Sequence, residues 1–130
     1  MSHGLGRVLV VDDEPSLLKM MGAYLLRLGH SVTTATTPEE ALLEVERAPG
    51  EFAAAVLDAS MAGIGMNDLA IRMLSANPAM RVLVSSGYPV DMTALEAAAP
   101  GRVAFLHKPF TPQMLADVVR RMLAAQEKGL

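Results

Sequence analysis

Cysteine is absent from the 130 residues, which excludes disulfides, thiolate nucleophiles and sulfur-ligated metals. Only three histidines remain for nitrogen ligation. Long hydrophobic runs are missing too: the longest, such as Ala53 to Leu57, fall far short of a bilayer span. No N-terminal stretch joins basic residues to an apolar segment of signal-peptide length, so the default expectation is a cytoplasmic protein without membrane insertion. An excess of positive charge is also lacking. The formal net charge is -3, which argues against a surface for nucleic-acid phosphates. Repeats, low-complexity tracts and linkers are not found.

What is present is a globular composition, 52% hydrophobic and 19% charged, of a length that suits one domain with its own core. Ten methionines are many, and most fall in helical patterns where they read as flexible core filler. Short apolar runs alternate with longer helical patterns. Val8 to Val11 reads as a strand buried on both faces. Pro15 opens a helix with apolar Leu17, Leu18, Met21, Leu25 and Leu28 at spacings of three and four, stopped by Gly29. Val32 to Ala35 is a more polar strand, suited to an edge. Thr37-Pro38-Glu39-Glu40 reads as a capping box for a helix to about Ala48.

After the Pro49-Gly50 turn, Ala53 to Leu57 is a third strand. A helix over about Asn67 to Ala76 ends at Asn77-Pro78, and Arg81 to Ser85 is the fourth strand. A short helix from about Asp91 to Ala99 ends at Pro100-Gly101, and Val103 to Leu106 is the fifth strand. Thr111-Pro112 caps a last helix with Met114, Leu115, Val118, Val119, Met122 and Leu123 on its inner face. Strands alternating with helices imply an α/β fold, a doubly wound parallel sheet with helices on both sides. Parallel pairing brings every strand-to-helix loop to one edge, where ligands bind in open α/β sheets.

The polar residues fall on that edge. Asp12, Asp13 and Glu14 follow the first strand, Asp58 the third, Ser85 and Ser86 the fourth, and His107 and Lys108 the fifth. A lone Asp after a strand is usually a turn residue, and a lone Lys is usually solvated. Four segments delivering carboxylates, hydroxyls and an amine to one edge are a different matter. Clustered carboxylates repel unless a cation sits among them. With oxygen ligands alone the expected ion is hard, and Mg²⁺ suits few carboxylates with positions left for water and phosphate. Asp58 would then be placed to attack phosphorus. Phosphoryl transfer needs positioning and neutralised oxygens, which Mg²⁺, Lys108 and a Ser hydroxyl would supply.

Asp12-Asp13, Asp58, Ser86-Gly87 and Lys108-Pro109-Phe110, in this order and spacing, resemble the receiver domain of bacterial two-component response regulators. The resemblance covers about residues 7 to 125 and implies a single domain over 1–130. Its fold would be (βα)5, flavodoxin-like, with strand order 2-1-3-4-5. It implies that Asp58 is the phosphoacceptor, that Asp13 and Asp58 ligate Mg²⁺ directly, and that Asp12 acts through water. It further implies that Ser60 offers its backbone carbonyl to the metal, that Ser86 closes on the phosphoryl group, and that Lys108 binds a phosphoryl oxygen. The Lys108-Pro109 bond is typically cis in this family, and Phe105 takes the place of the switch aromatic. The implied partners are a histidine kinase or a histidine phosphotransfer domain, with a homodimer through the face of helix 4, strand 5 and helix 5.

The loop after Asp58 departs from the family. Met61 is kept, but Ala62 replaces the usual Pro and Met66 stands at the Gly position, with Gly63 and Gly65 nearby. Pro fixes φ and Gly permits positive φ, so residues 59–66 are expected to take a different turn. His107 reads as a structural or surface residue on strand alternation, not a base. Within 130 residues there is no room for an output domain, so the chain reads as a stand-alone regulator or the receiver part of a longer protein. Segments Ser85 to Tyr88 and Phe105 to Phe110 look like receivers of hybrid histidine kinases.

Two other readings remain. A Mg²⁺-dependent phosphohydrolase of haloacid dehalogenase type needs Asp-x-Asp after strand one, where this chain has adjacent Asp12-Asp13. A flavodoxin-like cofactor-binding module needs a phosphate-cradling loop there, and Asp12-Asp13-Glu14-Pro15 would repel phosphate. A switch that is phosphorylated, and not a turnover enzyme, is therefore expected.

Overall fold

The structure, a computed structural model, describes residues 6–60 and 65–127. Its elements follow the expected alternation: β1 (Arg7–Val11), α1 (Pro15–Arg27), β2 (Ser31–Ala35), α2 (Pro38–Arg47), β3 (Phe52–Asp58), α3 (Met66–Ala76), β4 (Arg81–Ser86), α4 (Thr93–Ala98), β5 (Val103–His107) and α5 (Pro112–Glu127). All strand pairs are parallel, and the order is β2-β1-β3-β4-β5. The fold is thus the expected doubly wound (βα)5 sheet. Strand order reverses beside β1, so the C-terminal ends of β1 and β3 flank the crevice where such sheets bind ligands.

Two apolar layers sandwich the sheet. Alternation along β1 sends Leu9 and Val11 to the layer under α2, α3 and α4, and Val8 and Val10 to the layer under α1 and α5. Strand β3 keeps this pattern only by a register shift of one residue at Ala53, between the Arg7↔Phe52 and Val8↔Ala54 pairs. The chain is tight there: a Cβ on Gly6, whose φ is +94°, would meet the Ala53 Cβ at 3.0 Å. Leu9, Leu57 and Leu83 are fully buried, positions where truncation to Ala costs about 2–5 kcal/mol.

Chain signals explain the element ends. Thr37 Oγ1 accepts from Glu40 N, as a capping box requires, but Glu40 Oε1 accepts from Thr36 N, one residue earlier than the standard box. Gly29 takes φ +101° just past α1, as the stop signal implied. Thr111 Oγ1 accepts from Met114 N at the start of α5. Asn77 does more than end a helix. It is buried, donates from Nδ2 to Met73 O at 3.2 Å, and accepts from Gly50 N, so it ties α3 to the turn before β3.

Several expectations need correction. Helix α4 starts at Thr93, not Asp91, because Asp91 Oδ1 accepts from Thr93 N and forms a turn ahead of the helix. Leu28 is exposed: α1 ends at Arg27 and Leu28 is already the cap residue. Met114 is exposed at the first turn of α5, off the stripe formed by Leu115, Val119, Met122 and Leu123. Asp58, Ser86 and His107 are strand residues and do not follow their strands, and Ser85 lies within β4 as the strand range Arg81 to Ser85 implied. Pairing continues through Asp58↔Ser85 and Ser86↔His107, one to two residues beyond where the apolar runs stop.

Candidate functional site

Each polar residue at the upper edge is fixed by its backbone. Asp12 N donates to Ala35 O at 3.2 Å, extending the β1 edge by one residue, and Asp12 Oδ1 accepts from Glu14 N at 2.9 Å. Glu14 in turn caps α1 by accepting from Leu17 N at 2.6 Å. Asp12 is buried by this folding back, while Asp13 stays exposed. Asp58 ends β3 buried, and its Oδ1 accepts from both the amide (3.0 Å) and the hydroxyl (2.8 Å) of Ser60. Lys108 follows β5, its amide donating to Ser86 O at 2.8 Å, and the Lys108-Pro109 bond is cis as expected.

These constraints converge. Lys108 Nζ lies 3.4 Å from Asp12 Oδ2 and 3.4 Å from Asp58 Oδ1, bridging the two buried carboxylates. One oxygen from each of Asp12, Asp13 and Asp58 lies within 4.8 Å of the others. Burial pushes the Asp12 carboxyl above its ordinary value. The Glu14 amide opposes that push, the Asp58 charge adds to it, and Lys108 again opposes it. One ammonium therefore leaves the pocket short of positive charge. Three hard oxygen donors with unrelieved repulsion fit a divalent cation such as Mg²⁺.

Other expected residues stand around this centre. Ser86 is buried, but its Oγ accepts from Tyr88 N at 3.0 Å, so the hydroxyl is engaged on its own turn. Ser85 donates to Leu57 O at 3.4 Å, within the sheet. Phe105 lies behind the site on β5, packed against the α3/α4 layer. Of the departing loop, residues 61–64, including Met61, Ala62 and Gly63, lie outside the described residues. Gly65 caps α3, and Met66 begins it. Sequence reasoning missed the Ser60 hydroxyl, since only its carbonyl was considered. The signal was an Asp followed two residues later by a hydroxyl residue, the spacing of an Asx turn.

A family model described as the response regulator receiver domain matches residues 8–120. The chain belongs to that family. The receiver domain is a phosphoacceptor switch of two-component signalling, and this receiver is similar to parts of larger proteins. It is 32% identical over 125 residues to the sensor kinase CckA of Brucella abortus, covering 95% of this chain and 13% of that one. It is 33% identical over 116 residues to the DNA-binding transcriptional regulator NtrC of Azospirillum brasilense, covering 89% and 24%. The receiver thus spans between an eighth and a quarter of these relatives.

Solved structures agree. A CheY-like receiver from Methanospirillum hungatei matches with a TM-score of 0.85 at 25% identity, covering 96% of this chain and 98% of that one. The receiver of the hybrid histidine kinase CckA matches at 0.79 and 29%, covering 91% and 99%. Among the described residues no helix is long and apolar enough to cross a membrane.

Proposed function

We propose that this receiver accepts a phosphoryl group on Asp58 from a phosphohistidine of a kinase or phosphotransfer domain. The observation that carries the reading is Lys108 Nζ placed 3.4 Å from the buried carboxylates of both Asp12 and Asp58. A carboxylate oxygen of Asp58 attacks phosphorus, an O–P bond forms and the N–P bond breaks. The electron pair leaves on the donor imidazole, which takes up a proton. Lys108 neutralises a phosphoryl oxygen. Asp13 and Asp58 would hold Mg²⁺ directly, Asp12 would act through water, and the Ser60 carbonyl would complete the protein ligands. Bound there, the ion would neutralise the carboxylates and the equatorial phosphoryl oxygens.

Ser86 leaves Tyr88 N and turns to the phosphoryl group, and Phe105 responds behind it, biasing a two-state face of α4, β5 and α5. That face is where a second copy or an output partner docks. The work of the domain is cytoplasmic signalling, and the resemblance to CckA supports a place in a hybrid kinase. The reading is tested by incubating the protein with Mg²⁺ and phosphoramidate and recording intact mass. One labile phosphoryl adduct that fails to form in chelator supports it. Multiple-turnover phosphate release without an adduct favours a phosphohydrolase, and a yellow purified protein favours a flavin-binding module.

A further inference from the structure

Side chains along β5 alternate between the two faces of the sheet. Ala104 and Leu106 pack into the α1/α5 layer, and Val103 and Phe105 into the opposite one. His107 follows Phe105 at the strand period of two and shares its face. The contact is direct: the ring centroids lie 6.3 Å apart with planes at 78°. This is edge-to-face packing, which the ring quadrupole favours.

The register gives that contact a place in the switch. Phe105 pairs with Val84 and His107 with Ser86. Register partners in a sheet project to the same face, so His107 stands beside Ser86 on one side and Phe105 on the other. The amide after it, Lys108 N, is bonded to Ser86 O at 2.8 Å, which locks His107 against β4 at that level. His107 itself is exposed, so it adds little to the core. What it touches is a half-buried ring that pairs in register with Val84, two residues before Ser86 on β4.

The geometry points to His107 as a positioning residue: it holds the Phe105 ring in the placement seen here and sets how readily that ring follows Ser86. The inference deepens the proposed switch and rests on it. Edge-to-face pairs are worth enough to shift a two-state equilibrium by about two- to tenfold. Losing the pair therefore shifts the ring toward its alternative placement before any phosphoryl arrives.

The test uses the full chain with labelled Val84 methyls, which are fully buried and paired in register with Phe105. Their NMR shifts are recorded with and without Mg²⁺ and beryllofluoride, in wild type, His107→Ala and His107→Phe. Phosphorylation by phosphoramidate is timed in parallel by mass. In His107→Ala the free-state shifts move part of the way to the beryllofluoride positions, and phosphorylation speeds up about two- to tenfold. His107→Phe, which keeps an edge-to-face partner, returns both readouts to wild type. Unchanged shifts and rate in His107→Ala overturn the inference, as does failure of His107→Phe to restore them. A wild type that takes no phosphoryl group overturns both this inference and the switch reading. A phosphorylated wild type with an unresponsive His107→Ala overturns this one alone.

Discussion

Lys108 Nζ and Asp12 Oδ2 stand 3.4 Å apart although 96 positions separate them in the chain. The Asp12 side chain is almost fully buried at 1% exposure, whereas Lys108 keeps a quarter of its surface in water. A buried carboxylate with so few cations near it is costly, and the lysine is held there by the backbone bond from its own amide to Ser86. Replacing the ammonium by an apolar group of similar length removes the charge without emptying the space. Lys108→Met is expected to slow phosphorylation by phosphoramidate on the order of 10²-fold, the scale of one lost charge-stabilising donor. Timed intact-mass measurement checks this.

Repulsion in the acidic cluster gives a prediction with opposite signs in two buffers. Burial, and then the Asp58 charge, raise the Asp12 pKa, so the ionised carboxylate at neutral pH is a strain on the fold. Asp12→Asn relieves it and is expected to raise the urea midpoint in chelator. In saturating Mg²⁺ the order reverses. Wild type gains about 2.7 kcal/mol when the free ion is 100-fold above its Kd, and the variant, binding more weakly, gains less.

His30 sets a pH dependence at the other end of the molecule. It is buried, its Nδ1 has no hydrogen-bond partner among the described residues, and burial lowers its pKa below the ordinary 6.5. Above that value it is neutral in both folded and unfolded chains, and there is no linkage. As pH falls through 6.5 the unfolded chain takes up a proton that the folded one resists. Stability therefore drops until the lower folded pKa is passed. His30→Leu removes this contribution. Denaturation at pH 7.5 and 5.5 should show a smaller acid loss in the variant than in wild type.

Asn77 is expected to matter more than its place at a helix end suggests. Its side chain serves both Gly50 N and Met73 O from a buried position. Asn77→Ala leaves the Gly50 amide without that acceptor and should destabilise the fold by about 1–3 kcal/mol. Equilibrium urea unfolding measures it, and the phosphorylation rate should be unchanged because the site lies at the opposite edge of the sheet.

Much of this was legible in the chain, for a physical reason. Parallel βαβ connections force the loop after every strand to one edge, so finding Val8 to Val11 and Ala53 to Leu57 was enough to bring Asp12 and Asp58 together. Lys108 followed by the same rule. What local patterns hide is pairing with neighbours: Ser86 and His107 read as loop residues because polarity masks the ladder bonds that make them strand. Leu28 and Met114 fit their helical stripes by spacing, yet one lies past the last turn and the other in the first, where the stripe has no partner. The Phe105–His107 ring contact and the Ser60 hydroxyl on Asp58 depend on side-chain placement, which no periodicity carries.

The central claim is that Asp58 is the phosphoacceptor, and the most direct measurement maps the phosphoryl group to a residue. Wild type and Asp58→Asn are treated with Mg²⁺ and phosphoramidate, trapped by borohydride reduction of the acyl phosphate, digested and sequenced by mass spectrometry. The expected result is reduction at position 58 in wild type and no adduct in Asp58→Asn. An adduct on Asp12, Asp13 or any serine, or one that survives in Asp58→Asn at wild-type yield, would contradict the account.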